Sequence, residues 1–131
     1  MIVTMKKTVV FLLIVTILTL SVISFAGCGL FKGIQLDEVK TNLENAGYTV
    51  TVMTGDEYVE TEDAVPAIGS SELDNYLYAV KGEDEIHIFF FYTIDIASFN
   101  SDFIHIKSLL GGQINEVIYR GTRQAIKDAG I

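Results

Sequence analysis

Cysteine is nearly absent: Cys28 is the only one in 131 residues. Without a second thiol the chain forms no intramolecular disulfide, so a fold held by crosslinks is excluded. Tryptophan is missing, proline occurs once, at Pro66, and histidine twice, at His87 and His105. That supply falls short of a structural zinc site, which takes four nitrogen or sulfur ligands at short characteristic spacings. No G-x-G-x-x-G occurs, and Gly111-Gly112-Gln113 lacks the lysine of a phosphate-binding loop. Nor does any G-x-S-x-G place a serine on a strand-to-helix elbow. Charge is missing altogether from Thr8 to Leu30. Basic residues are missing from 55 to 74.

The uncharged stretch is the first thing present. Lys6 and Lys7 precede an apolar run from Thr8 to Ile23, and small residues follow at Ala26, Gly27 and Gly29. This is the order of an export signal. The segment Ser24-Phe25-Ala26-Gly27-Cys28 resembles the lipobox of bacterial lipoprotein precursors, with Phe25 where the family usually has Leu. The resemblance implies a diacylglyceryl group on the Cys28 sulfur, cleavage before Cys28, and residues 1–27 as a signal peptide. It also implies a location on the extracytoplasmic side of the cell membrane. Two acyl chains hold a protein stably in a bilayer. An uncleaved single membrane span of the same orientation is the alternative, since the run is long enough to cross and its lysines lie at the front. Residues 28–33 read as a short tether, and 34–131 as one small domain.

All 17 acidic residues follow Cys28, whereas two of the nine basic ones precede it, which leaves the part from Cys28 onward at a net charge of −10. An acidic surface repels phosphate backbones and anionic headgroups, so nucleic acid is not an expected partner.

Along the domain, Leu36, Val39, Leu43 and Ala46 share a helical face, Lys40 and Glu44 pair across one turn, and Gly47 is placed for a C-terminal cap. Residues 48–54 alternate as a half-buried strand. Residues 55–74 hold Pro66 and seven acidic residues and read as a long loop with a short edge strand at 58–61. Strands at 75–81 and 85–92 flank the turn Gly82-Glu83-Asp84. The second is apolar on both faces and must be central. The spacing of Ile96, Phe99, Phe103, Ile106 and Leu110 predicts a helix over 94–110, ended by Gly111-Gly112. A strand over 113–120 and a helix over 123–129, capped by Thr122, complete the chain. The segment from Tyr119 to Lys127 resembles the closing segment of small uncharacterised bacterial lipoproteins, a strand ending in Gly-Thr before an Ala-Ile helix. The predicted order is α-β-β-β-α-β-α, an α+β domain with a mainly antiparallel sheet of about four strands, in which the helix between the third and fourth permits one parallel crossover.

Chemistry-bearing residues are few. Cys28 is taken by the lipid, and it is the one site residue the motif assigns. His87 falls mid-strand among aromatics and His105 mid-helix, where a packed imidazole is the ordinary outcome. Asp56, Glu60, Glu62 and Asp63 offer oxygen ligands for a hard cation such as Ca²⁺, without the D-x-[DN]-x-[DN]-G pattern. Tyr76 and Tyr78 share a strand face, and Tyr92 and Tyr119 end strands, as suits an interface or an aromatic core.

No catalytic constellation and no cofactor site is therefore expected beyond the covalent lipid. The leading expectation is a non-enzymatic interaction module that meets another envelope protein through an exposed aromatic or apolar patch. The alternative is binding of a small ligand or cation through the acidic segment. A pocket around either histidine, with a carboxylate in hydrogen-bond reach, would reopen the enzymatic reading.

Overall fold

The computed structural model describes residues 33–131 apart from 107 and 108. The expected signal peptide, the expected lipidation site Cys28 and most of the expected tether lie outside the described residues. Among the described residues no helix is long and apolar enough to cross a membrane. Residues 34–131 form one compact unit.

Helix α1, Leu36–Asn45, buries Val39 and Leu43. Lys40 Nζ lies 3.6 Å from Glu44 on its exposed side. Gly47, at φ +94°, turns the chain out of the helix. There the Gly47 and Tyr48 amides donate to the Glu44 and Leu43 carbonyls, which closes a Schellman motif. Strand β1 runs Thr49–Thr54.

Next comes a helix rather than an edge strand. Helix α2 is Gly55–Val59, and Thr54 Oγ1 accepts the Glu57 amide while donating to the Glu57 carboxylate. Thr54 and Glu57 form a capping box, and their side chains, not the local β-propensity of Tyr58-Val59, decide the conformation. Residues 60–72 are a chain of turns closed by local hydrogen bonds, with Ile68 buried.

Strands β2, Leu73–Lys81, and β3, Asp84–Phe91, form an antiparallel hairpin. Helix α3 covers Ile94–Asn100 only, followed by a turn of 3-10 helix at Ser101–Phe103. The predicted helix to Leu110 is corrected, and so is its buried face. Phe99, Phe103 and Leu110 are half or more exposed, and Ala97, Asn100 and Ile104 are buried in their place. The reason is polar: Asn100 turns inward and donates to the Glu72 carboxylate and the Ile96 carbonyl.

Gly111 and Gly112 do not end a helix. They lie in strand β4, Leu110–Ile114, which pairs antiparallel with β5, Val117–Gly121. Asn115, at φ +53°, makes the reversal that divides the predicted single strand in two. Helix α4 is Arg123–Asp128, with Thr122 Oγ1 accepting the Ala125 amide as predicted.

The sheet thus has five strands in the order β1-β2-β3-β5-β4, every pair antiparallel, and the architecture is α+β. Strand β3 is central, as its two apolar faces require. The parallel crossover is absent because β5 returns beside β3 in the opposite direction. On one face Val39, Leu43, Leu77, Ile86, Ile88, Ala125 and their neighbours form a core beneath α1 and α4. On the other, Tyr58, Ile68, Leu73, Phe89, Ala97, Ile104 and Ile118 form a second core beneath α2, the turns of 60–72 and α3.

Candidate functional site

The second core does not cover its whole face. Antiparallel pairing builds cross-strand rows of side chains. One row, Met53-Tyr76-Phe89-Ile118, belongs to the second core. The adjacent row, Thr51-Tyr78-His87-Arg120, lies at the margin of that cover. Here the sheet opens into a cleft of about 570 Å³, within the size range of small-molecule sites.

Its floor is Tyr76, Tyr78, His87 and Phe89 from the β2–β3 hairpin. One wall is Tyr58, Thr61, Asp63 and Val65, which α2 and the turns after it hold in place. Tyr58 fixes that wall: its hydroxyl accepts the Val65 amide at 3.0 Å and its carbonyl accepts the Thr61 hydroxyl at 2.7 Å. The opposite wall is His105 and Ile106, in extended chain after the 3-10 turn, with Met53 and Glu85 at the ends. The rings form one aromatic surface. Tyr58 and Tyr76 centroids are 4.6 Å apart, Tyr76 and Phe89 5.1 Å, and Tyr78 and His87 4.8 Å.

A polar chain crosses the floor. Tyr76 Oη is 2.6 Å from His87 Nδ1, and His87 Nε2 is 3.1 Å from Glu85 Oε2. Burial, then the neighbouring Tyr58, Tyr78, Glu85 and Asp63, pushes the Tyr76 phenol well above its ordinary range and keeps it protonated. An ionised carboxylate only accepts, so Nε2 carries a proton toward Glu85, and with Nδ1 unprotonated the Tyr76 hydroxyl donates to it. Burial likewise raises the Tyr58 phenol.

This is the arrangement that reopens an enzymatic reading, a histidine in a pocket with a carboxylate in reach. The geometry limits what it can do. Both ring nitrogens of His87 are engaged inside the protein, so neither is presented to a substrate as a base. Among the described residues the only aliphatic hydroxyl in the lining is Thr61, and it donates to the Tyr58 carbonyl. Tyr76, His87 and Glu85 act as a brace that fixes the floor.

Arg120 shares the row of His87, but its guanidinium is drawn off to main-chain carbonyls of Ser101, Ile104, Gly112 and Tyr119 at 2.8 to 3.4 Å. It can do so because Gly111, its cross-strand partner, has no side chain: a Cβ there would meet Tyr119 O at 2.0 Å and Arg120 Cδ at 2.7 Å. Burial lowers the Arg120 pKa from its ordinary value.

All four acidic candidates are exposed. Asp63 lines the cleft, whereas Asp56 lies in the first turn of α2, Glu60 at its C-cap and Glu62 in the following turn. Among the described residues no three His, Cys, Asp or Glu side chains are gathered so as to hold a metal ion. Of the tyrosines, Tyr76 and Tyr78 share the floor, Tyr92 is exposed, and Tyr119 packs on the first core. His105 lies on a wall, not in a helix. Tyr58 and Glu85 are the site residues that sequence reasoning passed over. No family model, curated protein or solved structure matches this chain.

Proposed function

We propose that this protein is a lipid-tethered, non-enzymatic binding module, held at the extracytoplasmic face of the cell membrane through Cys28, with a small ligand seated in the aromatic cleft. The observation that carries the reading is the cleft itself: a concave aromatic surface of ligand size with a few fixed polar groups on it. The brace through Tyr76, His87 and Glu85 supports binding because it holds the rings in place before a ligand arrives. The test is mass spectrometry of small molecules released on denaturing the full chain extracted from its own membrane. A compound retained by wild type and lost from Tyr78→Arg, whose side chain fills the cleft, is the expected result. Equal retention of every compound by both proteins would overturn the reading.

A second reading rests on a different observation. Phe99 and Phe103, with ring centroids 5.7 Å apart, stand exposed. Such a patch suits an envelope protein as partner. Cross-linking in intact cells tests it: a partner enriched with wild type and lost with Phe99→Asp supports docking here. A partner retained by that variant sinks it.

A further inference from the structure

The ligand class follows from what lines the cleft and what does not. Among the described residues, every ionisable side chain of fixed sign in the lining is a carboxylate, Asp63 and Glu85. Among the described residues no lysine or arginine reaches the lining, and Arg120, in the same row, keeps its charge but commits its N–H donors to four main-chain carbonyls. The two histidines complete the charge inventory, and His87 is tied on both sides. The remaining surface is dominated by the rings of Tyr58, Tyr76, Tyr78 and Phe89, whose faces carry negative quadrupolar potential. Both carboxylates act across the floor, since Glu85 and Asp63 are among the charges that hold the Tyr76 proton on. An anion placed here meets carboxylates and ring faces. A neutral molecule gains burial alone. A cation gains burial, attraction to ring faces, and the field of two carboxylates in a partly dehydrated site.

We propose that the cleft binds a small organic cation, a substituted amine or quaternary ammonium, with its charged head over Tyr78 and Tyr76 and between Asp63 and Glu85. This rests on the reading of the cleft as a ligand site and adds the charge of the ligand. An organic cation suits the lining better than a metal ion. Ring faces supply no coordinating lone pairs, and the two carboxylates alone do not complete a hard-cation shell. Ammonium groups bearing alkyl substituents are weakly hydrated, so an aromatic surface competes well for them.

The test uses the full lipidated chain in detergent micelles and three probes: choline, its neutral carbon isostere 3,3-dimethyl-1-butanol, and benzoate. Binding is read by isothermal titration. Choline is expected to bind at least about tenfold more tightly than the isostere, a difference of about 1.4 kcal/mol, with benzoate weakest. Asp63→Asn with Glu85→Gln is expected to remove most of that preference, read as the ratio of choline to isostere affinity in the same variant, and Tyr78→Leu to weaken choline. Both carboxylate changes are isosteric, so their outcome stands even where Tyr78→Leu lowers stability. Equal binding of choline and the isostere, or tighter binding of benzoate, overturns the cation assignment and leaves the cleft as a ligand site. If none of the three binds at millimolar concentration, both the cation assignment and the reading of the cleft fall.

Discussion

At the scale of single residues, three tyrosines are distinguished by their surroundings. Burial leads the causes that raise the phenols of Tyr48, Tyr58 and Tyr76, and the Asp128 carboxylate adds to it at Tyr48. A phenol whose pKa is raised by folding stabilises the native state fully below its ordinary value near 10, and that contribution disappears as pH rises through the folded value. Spectrophotometric titration is therefore expected to show half of the six tyrosines resisting ionisation until the fold opens in alkali. Six phenols titrating together near their ordinary value would contradict the burial of these three. Asp128 shows the opposite sign. The Tyr48 hydroxyl donates to its carboxylate at 2.8 Å, and that bond, with a second from Gln124, holds the Asp128 pKa below the ordinary carboxylate range. Its contribution to stability is present above that range and lost as pH falls through the depressed value. Tyr48→Phe is expected to flatten this part of the acid-unfolding profile, and an unchanged profile would show that the bond does not act.

At the scale of elements, the junction of β1 and α2 shapes one wall of the cleft. Gly55 opens α2 where it passes the start of β2, and a Cβ there would lie 2.0 Å from the Leu73 carbonyl oxygen. Backbone cannot yield as a flexible side chain does. Gly55→Ala is expected to cost about 3 kcal/mol, toward the upper end for overpacked sites, in urea unfolding. A loss below about 0.5 kcal/mol would mean the elements separate freely. Asn100 ties α3 to the same region through Glu72, whose other carboxylate oxygen accepts the Gly69 amide. Asn100→Asp sets two carboxylates together in a buried place and is expected to destabilise more than Asn100→Ala, as thermal unfolding at neutral pH will show. The reverse order would assign Asn100 a packing role only.

These same elements explain what was legible in the chain. Helix α1, its Gly47 cap, the β2–β3 hairpin and the Thr122 cap follow from local pattern, because the nearest residues decide them. Helix α2 was not read, and an edge strand was expected in its place, because its signal sits in two polar side chains, Thr54 and Glu57, rather than in apolar spacing. Helix α3 was not, because its inward face uses Ala97 and a polar Asn100, while its large apolar residues point to solvent. The hairpin carries the whole cleft floor. A reversal at Gly82-Glu83 sets Lys81 opposite Asp84, and counting back places Tyr78 opposite His87 and Tyr76 opposite Phe89. The walls were beyond local reading, because Tyr58, Asp63 and His105 reach the floor only through long-range packing.

At the scale of the whole molecule, one sheet separates two different tasks. The face under α1 and α4 is closed by aliphatic packing, and Asn42 and Tyr48 bond across to the C-terminal helix. The face under α2 and α3 is closed over one row and open over the next, with aromatic rings at the boundary. Such an arrangement puts rigidity behind the site and leaves the site itself accessible. In the function proposed above, membrane affinity is assigned to acyl chains, which leaves the open face of the folded unit to the ligand.

The most direct measurement is nuclear magnetic resonance of the full lipidated chain in micelles, observed at the histidine and tyrosine rings while small-molecule probes, choline first, are added. Expected are a His87 ring held by Tyr76 and Glu85 in one orientation, and ligand-induced shifts centred on His87, Tyr78 and Tyr58 with Tyr92 unmoved. Shifts centred on Phe99 and Phe103, or a His87 ring that reorients freely, would contradict the account.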